Sequence, residues 1–330
     1  MVKTQSAPKA NHSEEYMRIL KSYLTEEEMQ NLLKKSDVRG AGEVLYNWLW
    51  IAGALALAGV WPNPVTVIIA LFILGGKQLG CAIIMHDASH YSLFKTRTLN
   101  NMVGGWLGAY PIFHSVSRYR PYHLEHHIFT GNEGDPDLPL TFGYPATRKS
   151  MLRKFFRDLT GITGLKGFFG LLMMQCGFWE YRLSGVIVPE RNRKSCWKAA
   201  LKNLSGPLVF NVGLWYILWL AGAGWLYLLW FGALLTTYTF SLRVRSMAEH
   251  SMTPDASDPK KNTRTVYAHF LEKLLFAPLH VNYHAEHHLF MSVPCYHYPR
   301  MHNLLKQRGF YEEGLLMPGY GHVIRIALKK

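Results

Sequence analysis

The chain has 330 residues, 49% of them hydrophobic, and a formal net charge of +14. That length would serve one large or two ordinary soluble domains, but the apolar residues come in charge-free blocks, which points to a membrane protein. No basic-aromatic recognition module accompanies the positive charge, which excludes nucleic acid as the partner. Cys81, Cys176, Cys196 and Cys295 fall inside the expected membrane segments or on their cytoplasmic side and lack paired C-x-x-C spacing, which predicts reduced thiols.

In chain order, residues 1–12 read as disordered. The stretches "SEEYMRILKSYL" and "TEEEMQNLLKK" each start with a hydroxyl cap, then acids, then spaced apolar residues. They predict two short amphipathic helices lying at the membrane interface. Val44–Val60 is uncharged and Val65–Met85 carries only Lys77, so each is long enough to cross a bilayer, with "WPNP" at 61–64 as the turn between them. Lys77 is expensive at that depth and should face protein or a headgroup, or snorkel to the cytoplasmic side. "HDASH" at 86–90 follows directly, then "HLEHH" at 123–127 and the acids of "GDPD". Phe168–Phe178 is apolar but only 11 residues long, which predicts an interfacial or buried helix rather than a span.

A second uncharged pair, Pro207–Ala223 and Trp225–Leu242, turns at "AGAG" (221–224). "TPDASDPKKN" (253–262) reads as an exposed loop, and "HAEHH" at 284–288 completes the pattern. The expected fold is an all-α integral membrane protein with four spans, about 44–60, 65–85, 207–223 and 225–242, in two hairpins. A cytoplasmic helical cap holds a two-metal site, and a cytoplasmic amphipathic segment, 1–43, precedes a single membrane domain, 44–330.

Of the 36 Lys and Arg, seven precede residue 44, 16 lie in 86–206 and 12 in 243–330, with neither hairpin turn charged. This bias places both termini and both long segments in the cytoplasm. The basic face suits anionic lipid headgroups or an acidic partner.

On a helix, residues i, i+3 and i+4 share a face. His123, His126 and His127 can therefore point to one centre, as can His284, His287 and His288, while His86 and His90 form an i, i+4 pair. Eight imidazoles are too many for one four-coordinate ion and suit two. Imidazole serves Zn, Cu, Fe and Ni alike, so spacing alone does not choose the metal. A pH sensor needs far fewer histidines. A transporter would set ionisable groups inside the spans, where Lys77 stands alone. The remaining His12, His114, His269, His297, His302 and His322 read as ordinary polar residues.

Two hairpins with His-x-x-x-His, His-x-x-His-His and His-x-x-His-His on one cytoplasmic face resemble the membrane fatty acid desaturase superfamily, over about residues 45–305. The resemblance implies two non-haem irons that use dioxygen and two electrons to remove hydrogens from an acyl chain. An unactivated C–H bond is beyond acid-base side chains and calls for such a centre. The family has a further ligand between the last span and the last box, which "RSMAEH" offers as His250. Stearoyl-CoA-type relatives have an Asn four residues before that His, where this chain has Ser246. Their first box also has four intervening residues where this one has three, so the resemblance favours acyl-lipid over acyl-CoA substrates.

Metal-bound histidines commonly donate their other N–H to a carboxylate, and Asp87, Glu125, Asp135, Asp137, Glu249 and Glu286 are placed for that, with Asn282 a further candidate or a helix cap. No nucleotide or flavin fingerprint is present, so a separate ferredoxin-like or cytochrome-like donor is implied. A lipid or carotenoid hydroxylase or ketolase would share every ligand, and a metal-binding transporter or sensor is the rival of a different class.

Overall fold

The computed structural model describes residues 12–183, 187–189 and 193–329. The stretch expected to be disordered falls, through residue 11, outside the described residues. Helices α1 (His12–Tyr23) and α2 (Glu26–Leu32) form where their caps predict. Thr25 closes a capping box, its hydroxyl accepting from Glu28 N at 3.2 Å while its own N–H donates to Glu28 Oε2 at 2.8 Å. The apolar face of each packs on protein. Tyr16, Leu20, Leu24, Met29 and Leu32 are buried in one cluster with Tyr298, Met301, Leu305 and Phe310 from the far end of the chain. A short amphipathic sequence shows that a face will be covered but not by what.

Helices α3 (Asp37–Val60) and α4 (Pro64–Ser89) make the first expected hairpin. Among the described residues these two are long and apolar enough to cross a bilayer. Asn63 caps α4, accepting from Val65 N and Thr66 N, with Pro64 in the first turn, where its missing N–H costs nothing. Lys77 is 2% exposed and does not snorkel; its ammonium lies 5.5 Å from the Tyr46 ring centre and 5.9 Å from that of Trp50.

Helix α5 (Arg97–Val103) runs into a π-helical turn (Gly104–Ala109) that packs on α4, followed by α6 (Val116–Phe129) and the short α7 (Leu138–Thr141). Helix α8 (Arg148–Leu159) leads to α9 (Ile162–Gln175), the helix expected near Phe168 but starting earlier.

The second expected hairpin consists of α10 (Arg193–Leu220) and a helix in two pieces, α11 (Leu226–Leu235) and α12 (Thr237–His250). The stretch predicted as one continuous span breaks at Thr236, whose φ of −117° and ψ of −87° are not helical. Two threonine hydroxyls flank the break, one bonded within α11 and one across to α4. Thr236 Oγ1 donates to Gly232 O at 2.7 Å and Thr237 Oγ1 to Leu71 O at 2.5 Å. Gly75 makes the approach of α4 to this break possible, since a Cβ there would lie 2.3 Å from Thr237 Oγ1.

After the loop around 253–262 come β1 (Arg264–Val266), α13 (Phe270–Leu275), α14 (His284–Leu289), α15 (Tyr298–Gln307), β2 (Leu315–Met317) and α16 (Tyr320–Ile326). The parallel β1–β2 pair departs from the all-helical expectation, with Thr265 registered against Leu316. Strands of three residues give too short an alternation to be read from sequence. One apolar cluster joins α3, α4, α9 and α11; another joins α1, α2 and the C-terminal helices.

Candidate metal centre

The histidines sit where helices end. His86 and His90 close α4, His250 closes α12, and the two other boxes occupy α6 and α14. They gather into two groups, His86, His90, His123, His127 and His287 in one, and His126, His250, His284 and His288 in the other. Within each group one nitrogen per residue lies within 4.8 Å of every other.

Neither three-histidine box serves a single centre, contrary to the expectation. At 3.6 residues per turn, i+3 falls about 60° to one side of i and i+4 about 40° to the other. The i, i+4 pair of α6 therefore joins the first group while His126 turns to the second. Helix α14 does the reverse, giving His287 to the first group and His284 and His288 to the second.

The rings are held from behind. His86 Nδ1–H donates to Asp87 Oδ1 at 2.7 Å and His126 Nδ1–H to Asp135 Oδ1 at 2.8 Å, with Asp137 Oδ2 at 3.8 Å. His287 Nδ1 meets the Tyr298 hydroxyl at 2.9 Å and His288 Nδ1 that of Thr130 at 3.3 Å. Longer contacts of 3.5 Å join His250 Nδ1 to Asn262 O and His284 Nδ1 to Glu249 Oε1.

The Nε2 atoms consequently face one another. His127 Nε2 lies 3.0 Å from His123 Nε2 and 3.1 Å from His287 Nε2, and His250 Nε2 lies 2.8 Å from His284 Nε2. Two ligands at right angles on an ion with bonds of about 2.1 Å would be about 3.0 Å apart. His86 Nε2, His90 Nε2 and His288 Nε2 are buried without a hydrogen-bond partner. Buried acceptors in that condition are costly unless something binds them, so the donor set fits metal ions.

Burial holds His123, His127, His250, His284, His287 and His288 far below the ordinary imidazole pKa and takes His90 to about 3. Neutral imidazole is the form that binds metal. His126 alone moves up: burial opposes its charge, but the Asp135 hydrogen bond and the charges of Asp137, Asp135 and Glu249 outweigh burial. Burial pushes the Glu249 carboxyl up to about 7, against the pull of Arg245, whose Nε donates to Glu249 Oε1 at 2.6 Å.

Three expected anchors lie elsewhere. Glu125 faces outward to Arg182 Nη2 at 2.6 Å. Asn282 Nδ2 donates to Val266 O at 2.9 Å and so fastens β1. Glu286 accepts from His302 Nδ1 at 2.6 Å and from the Thr265 and Tyr311 hydroxyls, so it braces the back of α14 and touches no clustered ring. Glu125 and Glu286 lie inside boxes, but their helices turn them away from the rings, and Asn282 lies in the turn before α14. Conversely, Tyr298, Thr130 and the Asn262 carbonyl carried no sequence signal, because tertiary packing alone brings them to the rings.

Beside the histidines lies a mostly apolar cavity of about 420 Å³, lined by Met85, Ile112, Phe168, Leu171, Leu234 and Leu242 among others. Tyr119, Asp137, Leu140 and Arg245 line both this cavity and a smaller space that reaches His123, His126, His250 and His284. Tyr119 stacks on His123 with ring centres 5.1 Å apart. On α12 the lining runs from Tyr238 to Arg245, roughly 10 Å at about 1.5 Å per residue.

Residues 58–320 match the family described as fatty acid desaturase. The chain is 29% identical over 278 residues to dihydrorhizobitoxine desaturase of Bradyrhizobium elkanii, covering 79% of this chain and 74% of that one. It is 26% identical over 279 residues to a sphingolipid delta(4)-desaturase of Drosophila melanogaster, covering 81% and 76%. It is 24% identical over 298 residues to sn-1 oleoyl-lipid 12-desaturase of Synechocystis, covering 84% and 80%. A match across most of the chain, joined to paired histidine groups beside an apolar cavity, identifies this protein as an oxidoreductase belonging to the fatty acid desaturase family.

Proposed function

We propose that the chain desaturates a fatty acyl chain carried on a lipid, with one iron in each histidine group. The overall change is –CH2–CH2– plus dioxygen, two electrons and two protons giving –CH=CH– and two waters. Bound iron supplies the dioxygen activation and hydrogen abstraction that no side chain here can perform. The Nε2 atoms hold the ions, and Asp87, Asp135, Tyr298 and Thr130 fix the rings from Nδ1. The observation that carries the reading is the apolar cavity that shares Tyr119, Asp137, Leu140 and Arg245 with the smaller space reaching both histidine groups; in this reading it binds the chain and excludes water from the reacting carbons.

A lipid-borne substrate is supported by the cavity's edge on α9. Gly167, at that edge, is exposed, beside exposed Ile162, Leu165 and Phe169. The preceding α8 exposes Leu152 and Phe156 among Arg148, Lys149, Arg153 and Arg157, the composition of a helix lying in anionic headgroups. The relatives named for sphingolipid and oleoyl-lipid point the same way. In the topology we propose, residues of about 44–60, 65–85, 207–223 and 225–242 cross the bilayer, and both termini and the histidines, which follow the second and fourth of these spans, lie on the cytoplasmic side. A separate one-electron donor supplies the electrons.

The test offers the purified enzyme, with a reduced ferredoxin, one labelled acyl chain either as a phosphatidylcholine or as its CoA thioester. Olefin should form at least tenfold faster from the phospholipid. Preference for the thioester would contradict the acyl-lipid assignment.

A further inference from the structure

Of the nine clustered histidines, His90 alone is not fully buried. It is followed at once by Tyr91, part-exposed and held with φ at +55°, a left-handed conformation uncommon for a bulky residue. Such backbone strain persists only where the surroundings enforce it. Here Tyr91 N–H donates to Ala88 O at 3.1 Å, and Lys35 Nζ donates to Tyr91 O at 2.8 Å.

The Tyr91 ring is bounded by two guanidiniums. Arg97 Cζ lies 4.3 Å and Arg120 Cζ 4.1 Å from its centre. Arg120 Nε also donates to Ser89 O at 2.8 Å, which ties the patch to the end of α4. Lys95 and Arg97 are exposed, Lys35 and Arg120 part-exposed. Among the described residues none of these four cations enters a salt bridge, whereas Arg182, Arg243, Arg245 and Arg308 each have a carboxylate. The nearby Asp37 is occupied by Thr96, accepting from its N–H at 2.9 Å and its hydroxyl at 2.7 Å.

We infer that Tyr91 and the cations around it, Lys35, Lys95, Arg97 and Arg120, form the docking surface for an acidic one-electron carrier protein, with His90 as the point of electron entry. This rests on the desaturase reading, which requires an external donor. Unneutralised cations around a part-exposed aromatic complement a carboxylate-rimmed redox protein and would speed its encounter. The patch lies over the one clustered histidine that approaches the surface, and Tyr91 is joined to that histidine by a single peptide bond, so a carrier docked there has a direct covalent route to the first histidine group.

The test compares the full-length enzyme with K95E/R97E, using a reduced acidic [2Fe–2S] ferredoxin at low ionic strength and, separately, dithionite. The expected result is a tenfold or greater rise in the KM for ferredoxin, with dithionite-driven olefin formation and iron content within twofold of the parent. Added salt should raise the ferredoxin KM of the parent and hardly move that of the variant. An unchanged ferredoxin KM overturns the assignment. So does an equal loss with both reductants, which would mark a structural role. Lack of turnover by the parent with either reductant would instead sink the desaturase reading, and the docking surface with it.

Discussion

The carboxylates behind His86 and His126 are buried to 2% exposure, so their hydrogen bonds are shielded from water and set each ring's tautomer. D135N should lower metal affinity and turnover by about 10–100-fold, the usual effect of losing such an anchor. E125Q should stay within about twofold, since a half-exposed ion pair with Arg182 is worth little. H250Q should empty the second group of most of its metal by elemental analysis, whereas H322Q should not, because His322 belongs to neither group. Equal metal content in the two histidine variants would remove His250 from the site. The nine residues were legible as i, i+3, i+4 repeats and a family position. Their partition into five and four was not, because it depends on how α6 and α14 face each other. Glu286 illustrates the limit: beside His287 in sequence, its carboxylate is claimed by His302, which had no distinguishing neighbour pattern.

Helices α1 and α2 were readable from their caps and charges, yet their function in the fold depends on α15 and the residues after it. Leu32 has no exposure, so L32A should cost about 2–5 kcal/mol, read as a lower unfolding midpoint in detergent. Arg308 grips the same pair of helices, donating to Glu28 Oε1 and Oε2 at 2.7 and 2.6 Å, and holds the Glu28 carboxyl down to about 2. A depressed carboxylate contributes stability above its unfolded pKa, about 4.3, and loses it as pH falls toward the folded value. The protection factors of the α2 amides, corrected for intrinsic exchange, should therefore be flat from pH 8 to about 5 and fall below that, and E28Q should remove the pH-dependent part. No pH dependence in the parent would mean the pair contributes nothing. The break at Thr236 escaped sequence reading for a related reason: Thr and Gly are tolerated in a continuous span, and only the approach of Gly75 shows why this one bends.

Across the whole molecule, the turns at 61–64 and 221–224 carry no charge while the long segments outside the hairpins are basic, and the proposed topology sets the two on opposite faces. Cysteines introduced at those turns should react with an impermeant reagent added outside intact cells, and one near position 130 should not; the reverse pattern would invert the topology. The hairpins were visible as apolar blocks, but the cavity was not, because its wall is assembled from α4, α6, α9, α11 and α12 together. In the proposed reaction that cavity is what decides the outcome, since desaturation and hydroxylation share dioxygen, electrons and ligands and differ in whether the second hydrogen is held within reach. The direct test is to express the chain with a compatible donor in a host lacking its own desaturases and to profile total lipids by mass spectrometry under labelled dioxygen. The account predicts an acyl species two hydrogens lighter than its precursor and free of label; a labelled hydroxyl or keto product in its place would contradict it.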